Sequence, residues 1–145
     1  MAAWHEKFET GDAMNKYTMS WVIGFGPSSQ GGSLKAPTWV AIKEKLAEMS
    51  VRSGSVTLNL VEAPEIGPQS LEVLGEGGYY ILTLGEDTGD DYVVRTFSNS
   101  VTSDGDISVL GNRWSRRLAC TDLSLVVSIF EEFLSNGDVS REILN

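Results

Sequence analysis

The side chains able to do chemistry in this chain are carboxylates, with few partners of other kinds. Glu86, Asp87, Asp90 and Asp91 crowd around Thr88-Gly89, and Glu62, Glu65, Glu72 and Glu76 form a second acidic group upstream. Paired carboxylates run acid–base chemistry when they face one another across an apolar cleft. Here they lie beside prolines and glycines, which places them in solvated turns. The first group lacks the spacing of a calcium loop. Nucleophilic chemistry has little material: His5 is the sole histidine and Cys120 the sole cysteine, and His5 falls in an N-terminal stretch without periodicity. One cysteine makes neither an internal disulfide nor a cysteine cage for zinc. Cys120 reads as a small buried apolar residue in a reducing compartment.

Gly26-Pro-Ser-Ser-Gln-Gly-Gly-Ser33 has the glycine spacing of a phosphate-binding loop, but Gly32 stands where such a loop carries its lysine. The side chain that reaches the terminal phosphates is missing, so this segment reads as a flexible connection. Arg113, Arg116 and Arg117 around Trp114 form the one basic cluster. Three arginines against a formal charge of −9, from 11 Lys and Arg and 20 Asp and Glu, point to pairing with the chain's own acids. Nucleic-acid binding needs the opposite balance, because it neutralises phosphates. Strong acidity suits a basic protein partner, whose encounter a complementary field accelerates. No cofactor or metal is expected.

The elements that position these groups follow from periodicity. Tyr17 to Phe25 is rich in β-branched and aromatic residues, which predicts a strand. Gly24 to Ser33 is expected as a loop. Trp39, Ile42, Leu46 and Met49 recur at helical spacing, with Lys43, Glu44, Lys45 and Glu48 on the wet face. This helix should end between Ser50 and Gly54. Short strands follow at Val56 to Val61, Leu71 to Leu74, Tyr79 to Leu84 and Tyr92 to Phe97. Others are expected at Ile107 to Leu110 and Trp114 to Ala119, joined by short turns that favour antiparallel pairing.

Leu123, Val126, Val127, Phe130, Phe133 and Leu134 form the apolar stripe of a final helix. Thr121 or Asp122 is its N-cap and Gly137 its left-handed C′ residue. Beyond Gly137, Val139 should fold back onto the helix end, with Ile143 and Leu144 tucked into the core. The fold class is α+β: a curved antiparallel sheet of five to six strands with two main helices packed on it. Residues 16–145 form one domain, and residues 1–15 a flexible leader, with Met14 available as a start. No apolar run approaches the roughly 18 residues of a membrane span, and a cytoplasmic location without membrane contact is expected.

The segment Phe130-Glu-Glu-Phe-Leu-Ser-Asn-Gly-Asp-Val-Ser-Arg-Glu-Ile143 resembles the Glu-Phe-Leu-x-x-Gly ending of small immunity proteins from bacterial polymorphic toxin and contact-dependent inhibition systems. The strand-rich stretch before it, with Gly78-Tyr-Tyr-Ile-Leu-Thr-Leu84, is similar to the central meander of that family. The resemblance implies a non-enzymatic protein that binds and neutralises a cognate, basic toxin. On that reading Phe130, Phe133, Leu134 and Gly137 hold the fold. The expected contact surface is Glu86, Asp87, Asp90 and Asp91, with Glu72, Glu76 and Asp104 nearby. The competing reading is a small-molecule-binding or regulatory domain with an apolar pocket lined by Trp21, Trp39 and Tyr79.

Overall fold

A computed structural model describes residues 16–99 and 105–145; His5, Met14 and Asp104 lie outside these. The described chain runs β1 (Tyr17–Ile23), β2 (Gln30–Lys35), α1 (Trp39–Arg52), β3 (Gly54–Leu60), β4 (Gly67–Glu76), β5 (Tyr79–Asp87), β6 (Tyr92–Thr96), β7 (Asp106–Val109), β8 (Asn112–Ser115), a 3-10 turn (Arg116–Leu118), β9 (Ala119–Cys120) and α2 (Leu123–Asn136). The fold is α+β. Six strands form an open, curved antiparallel sheet in the order β2-β1-β3-β4-β5-β6, and β9 adds a seventh beside the start of β5. Among the described residues no helix is long and apolar enough to cross a membrane.

Alternation along the strands sorts the sheet into two faces. On the inner face, cross-strand register aligns Met19, Leu58, Leu71 and Leu84 in one row, all fully buried. Both helices cover this face. Ile42, Leu46 and Met49 of α1 and Val126, Ile129, Phe130, Phe133 and Leu134 of α2 complete the main core. Thr38 caps α1 and Asp122 caps α2, each through a side-chain oxygen that accepts a first-turn N–H. Gly137 ends α2 in the left-handed conformation, with its N–H on the Phe133 carbonyl. Val139 and Leu144 then return to the core, with Ile143 half-buried at its margin.

The outer face is covered in part by the β7–β8 hairpin. Ile107 and Val109 pack on Ile81 and Ala119, with Leu74, Tyr79 and Trp114 around them. Leu110-Gly111 makes the two-residue hairpin turn with positive φ at both positions, 52° and 82°. That is the backbone form a twisted hairpin requires, although leucine adopts it at a cost.

Three expectations about elements change. Gln30–Lys35 is a strand paired with β1, so the glycine-rich stretch is a hairpin rather than a flexible connection. Its glycines have a packing role: a Cβ on Gly32 would collide with the Trp21 ring, which lies across the strand. The short strand expected at Leu71 is ten residues long and begins at Gly67, with a register shift between Pro68 and Ser70 that absorbs the proline. Trp114 to Ala119 is not one strand: it leaves β8 after Ser115 and turns through the 3-10 segment before pairing again as β9.

Candidate partner-binding surface

Asp87, Asp90 and Asp91 sit at the β5–β6 turn, where the two strands end in register with Asp87 opposite Tyr92. The turn is held by its own side chains. Asp87 Oδ1 accepts the Gly89 N–H at 2.8 Å, and Thr88 Oγ1 accepts the Asp91 N–H at 3.2 Å. Asp91 Oδ1 takes the Tyr92 N–H at 2.8 Å. These bonds fix the Asp87 and Asp91 carboxylates without fully burying them: Asp91 is exposed, as is Asp90 between them, and Asp87 is half-buried.

Apolar side chains rim the turn. Ile66, Tyr92 and Val94 are 66%, 53% and 57% exposed. Gly67 pairs with Asp87, which carries Ile66 alongside the turn, and the Ile66 side chain packs toward Gly89. Tyr92 lies over Gly85, where a Cβ would meet its hydroxyl oxygen. Exposed Glu62 and Glu65 stand on the loop that leads to Ile66. Carboxylates thus stand beside exposed aliphatic and aromatic groups on one patch of the described surface.

The other acids of the expected surface are engaged elsewhere. Glu86 alternates with Asp87 and so points to the inner face, where it is only 7% exposed. Its Oε1 accepts from Arg95 Nη1 at 2.9 Å and its Oε2 from Arg141 Nη2 at 2.8 Å. Expecting Glu86 in a solvated turn was therefore wrong by one residue of strand: a period of two sends neighbouring side chains to opposite faces. Glu76 accepts the Leu110 N–H at 2.8 Å and steadies the positive-φ hairpin turn. Glu72 accepts from Thr57 Oγ1 at 3.3 Å in the middle of the outer face. The acids thus divide into the turn carboxylates and three that support the fold. Asp104 lies outside the described residues.

Arg95 is the residue that sequence reasoning missed. It occupies the next position in the Met19–Leu58–Leu71–Leu84 row and is 3% exposed. Its Nε donates to the Leu144 carbonyl at 3.0 Å and its Nη2 to the Val139 carbonyl at 2.6 Å. Its Nη1 donates to Glu86 and to Asp138, both at 2.9 Å. The signal was present in Tyr92-Val-Val-Arg-Thr-Phe97, where arginine shares the inward parity of Val93 and Phe97.

The other chemical candidates separate in space. Burial raises the Cys120 thiol, which disfavours the thiolate. Burial likewise raises Tyr80, and pushes Tyr17 up to about 12. All three belong to the main core. Trp21 and Trp39 pack against that core while Tyr79 packs in the outer cluster, so they do not line one pocket. Arg113 pairs with Asp106, at 4.0 Å on the exposed hairpin. Among the described residues, no three His, Cys, Asp or Glu side chains converge as metal ligands.

Residues 20–143 match a family of unknown function, DUF6911. The fold is similar to that of a hypothetical protein from Neisseria gonorrhoeae known from a crystal structure. The TM-score is 0.70 at 18% identity, with 88% of this chain and 93% of that one covered. No curated protein matches the chain.

Proposed function

We propose, for a chain that belongs to the DUF6911 family, a non-enzymatic role: it binds a basic protein through the β5–β6 turn. The specific form of that role is immunity, in which the partner is a cognate toxin and binding neutralises it. The observation that carries the reading is the turn itself, where Asp87 and Asp91 are oriented by backbone hydrogen bonds and, with exposed Asp90, stand next to exposed Ile66, Tyr92 and Val94. A net charge of −9 adds long-range attraction for a basic partner. The resemblance of Phe130 to Ile143 to the immunity-protein ending supports the toxin as the kind of partner. In this role Phe130, Phe133 and Gly137 maintain the fold, and chemistry on a substrate is not required.

The test is affinity capture from the native source with the full chain, read by mass spectrometry at low and high salt. The expected result is one dominant basic protein retained at low salt and released at high salt, whose toxicity on expression is relieved by this chain. Capture that is indifferent to salt and to Asp90→Lys with Asp91→Lys overturns the acidic-turn reading. A captured basic protein that is harmless to cells overturns immunity and leaves partner binding standing.

A further inference from the structure

The β6 edge has hydrogen-bonding capacity that the described fold leaves open. In the β5–β6 ladder, Thr88 N–H donates to the Asp91 carbonyl at 2.9 Å and Phe97 N–H to the Leu82 carbonyl at 3.4 Å. Antiparallel pairs alternate between hydrogen-bonded and not. With this register, Val93 bonds to Glu86 and Arg95 to Leu84. The backbone groups of Tyr92, Val94 and Thr96 therefore face away from β5. Thr96 is used: its carbonyl accepts the Asn145 N–H at 3.0 Å, next to the Phe97–Leu144 bridge. The Tyr92 N–H is taken by Asp91 Oδ1. Among the described residues, the Val94 N–H, the Val94 carbonyl and the Tyr92 carbonyl have no partner.

We propose that this edge is a strand-addition site, at which an extended basic segment of the protein partner lays down a further strand against Tyr92–Val94. The inference rests on the acidic-turn reading above and specifies how the partner docks. Main-chain bonds supply affinity in this mode, and alternate side chains supply specificity. One side chain of the incoming strand packs on the exposed Val94 and Tyr92. A lysine or arginine at its end reaches Asp90 and Asp91. About four residues span the open stretch.

Charge decides the occupant. A second copy of this chain carries the same net charge of −9 and is repelled by this edge, whereas a basic segment is attracted to it. The opposite edge, β2, also exposes backbone. Ala36 N–H donates to the Tyr17 carbonyl, and this register turns Gly31, Ser33 and Lys35 outward. That edge lies in a stretch with no acid between Asp12 and Glu44, and it ends in Lys35. A basic segment is drawn to β6 and not to β2.

The experiment uses the full chain and, as probe, an acetylated and amidated eight-residue peptide of alternating lysine and valine. Amide hydrogen exchange is followed by NMR on titration. The Val94 amide, which has no acceptor in the described fold, should become protected at least about tenfold on saturation. Val94→Pro removes the outward N–H without touching the β5 ladder and should weaken the peptide about tenfold. Ser33→Pro, the matching change on the β2 edge, should leave affinity unchanged. Protection of Val94 together with these two results establishes strand addition.

Binding that depends on Asp90 and Asp91 but leaves the Val94 amide unprotected overturns strand addition and spares the acidic-turn reading. So does equal loss in Ser33→Pro. No binding at millimolar peptide also overturns strand addition, while capture from the native source decides the acidic-turn reading separately. If Val94→Pro fails to fold, Val94 protection in the unmodified chain decides alone.

Discussion

Tyr17, the first residue of β1, donates its hydroxyl hydrogen to the carbonyl oxygen of Phe133 in the last turn of α2, at 2.7 Å. The two rings meet edge to face with centroids 5.6 Å apart. The same carbonyl accepts the Gly137 N–H at 2.7 Å, so one oxygen joins the first strand, the final helix and its C-cap.

Tyr17→Phe keeps the ring contact and leaves Phe133 with its Gly137 bond. The expected loss is about 1 kcal/mol, the net worth of one hydrogen bond, measured by urea unfolding at pH 7. The change also alters the alkaline limb. Burial raises the Tyr17 phenol from 10.0 to about 12, so the folded state favours the protonated form. That contribution is complete below pH 10 and is lost as pH rises toward 12. Unmodified protein should therefore lose stability more steeply over this window than Tyr17→Phe. Equal slopes would mean that Tyr17 titrates normally.

Arg95→Met should cost about 3–5 kcal/mol, because it leaves Glu86 short of a partner and unties the carbonyls of Val139 and Leu144. Adding Glu86→Leu removes the stranded charge and should restore a measurable part of the loss. A double-mutant cycle in urea reads the coupling, expected at about 1 kcal/mol or more. Strict additivity would show that the pair does not act together.

Charge reversal separates the supporting acid from the presenting ones. Asp90→Lys with Asp91→Lys should lower the melting temperature only slightly, since both residues are exposed and the one bond lost, from the Tyr92 N–H, is at the surface. Association with the captured partner should slow about tenfold or more at low salt, with a weaker salt dependence. Glu86→Lys should instead lower the melting temperature sharply, because it places a third cation beside Arg95 and Arg141. Stopped-flow association and thermal melts on the same samples check both halves.

Gly54→Ala should be among the most damaging single-methyl changes. Gly54 has φ +136° and opens β3 so close to β1 that a Cβ would strike the Val22 carbonyl oxygen. A loss of about 3 kcal/mol is expected. Gly77→Ala is the control: φ is +61°, but nothing lies within 4 Å of its Cβ, so only the backbone preference is lost, about 1 kcal/mol. Similar losses at the two sites would mean that crowding at Gly54 is relieved by a small shift of β1.

Local signals carried much of this fold. Trp39, Ile42, Leu46 and Met49 define α1 by spacing, and Asp122 and Gly137 bracket α2 as their cap chemistry requires. The antiparallel meander followed from short turns. What escaped depends on partners distant in sequence. Gln-Gly-Gly-Ser has poor strand propensity, and becomes β2 because β1 offers it a ladder and Trp21 needs the space its glycines leave. Among the acids, Asp90 and Asp91 were legible as an exposed turn. Glu76 and Glu86 were not, because their fates are set by Leu110 and Arg95, 34 and 9 residues away. Strand parity already separated Glu86 from Asp87. Arg95 at an inward position was the matching clue on the other strand.

Arg95 also bears on how this chain comes into being. Its guanidinium grips carbonyls at Val139 and Leu144, and Leu144 is itself a fully buried core residue. During synthesis the sheet from β1 to β6 can assemble early with Arg95 paired to Glu86, but the remaining donors of the guanidinium have nothing to hold until Val139 and Leu144 have cleared the ribosome. A nascent chain stalled before that point carries a half-satisfied guanidinium at the edge of an uncovered apolar face. Such an intermediate is prone to aggregate. The latch thus makes synthesis through Leu144 a condition for closing the core.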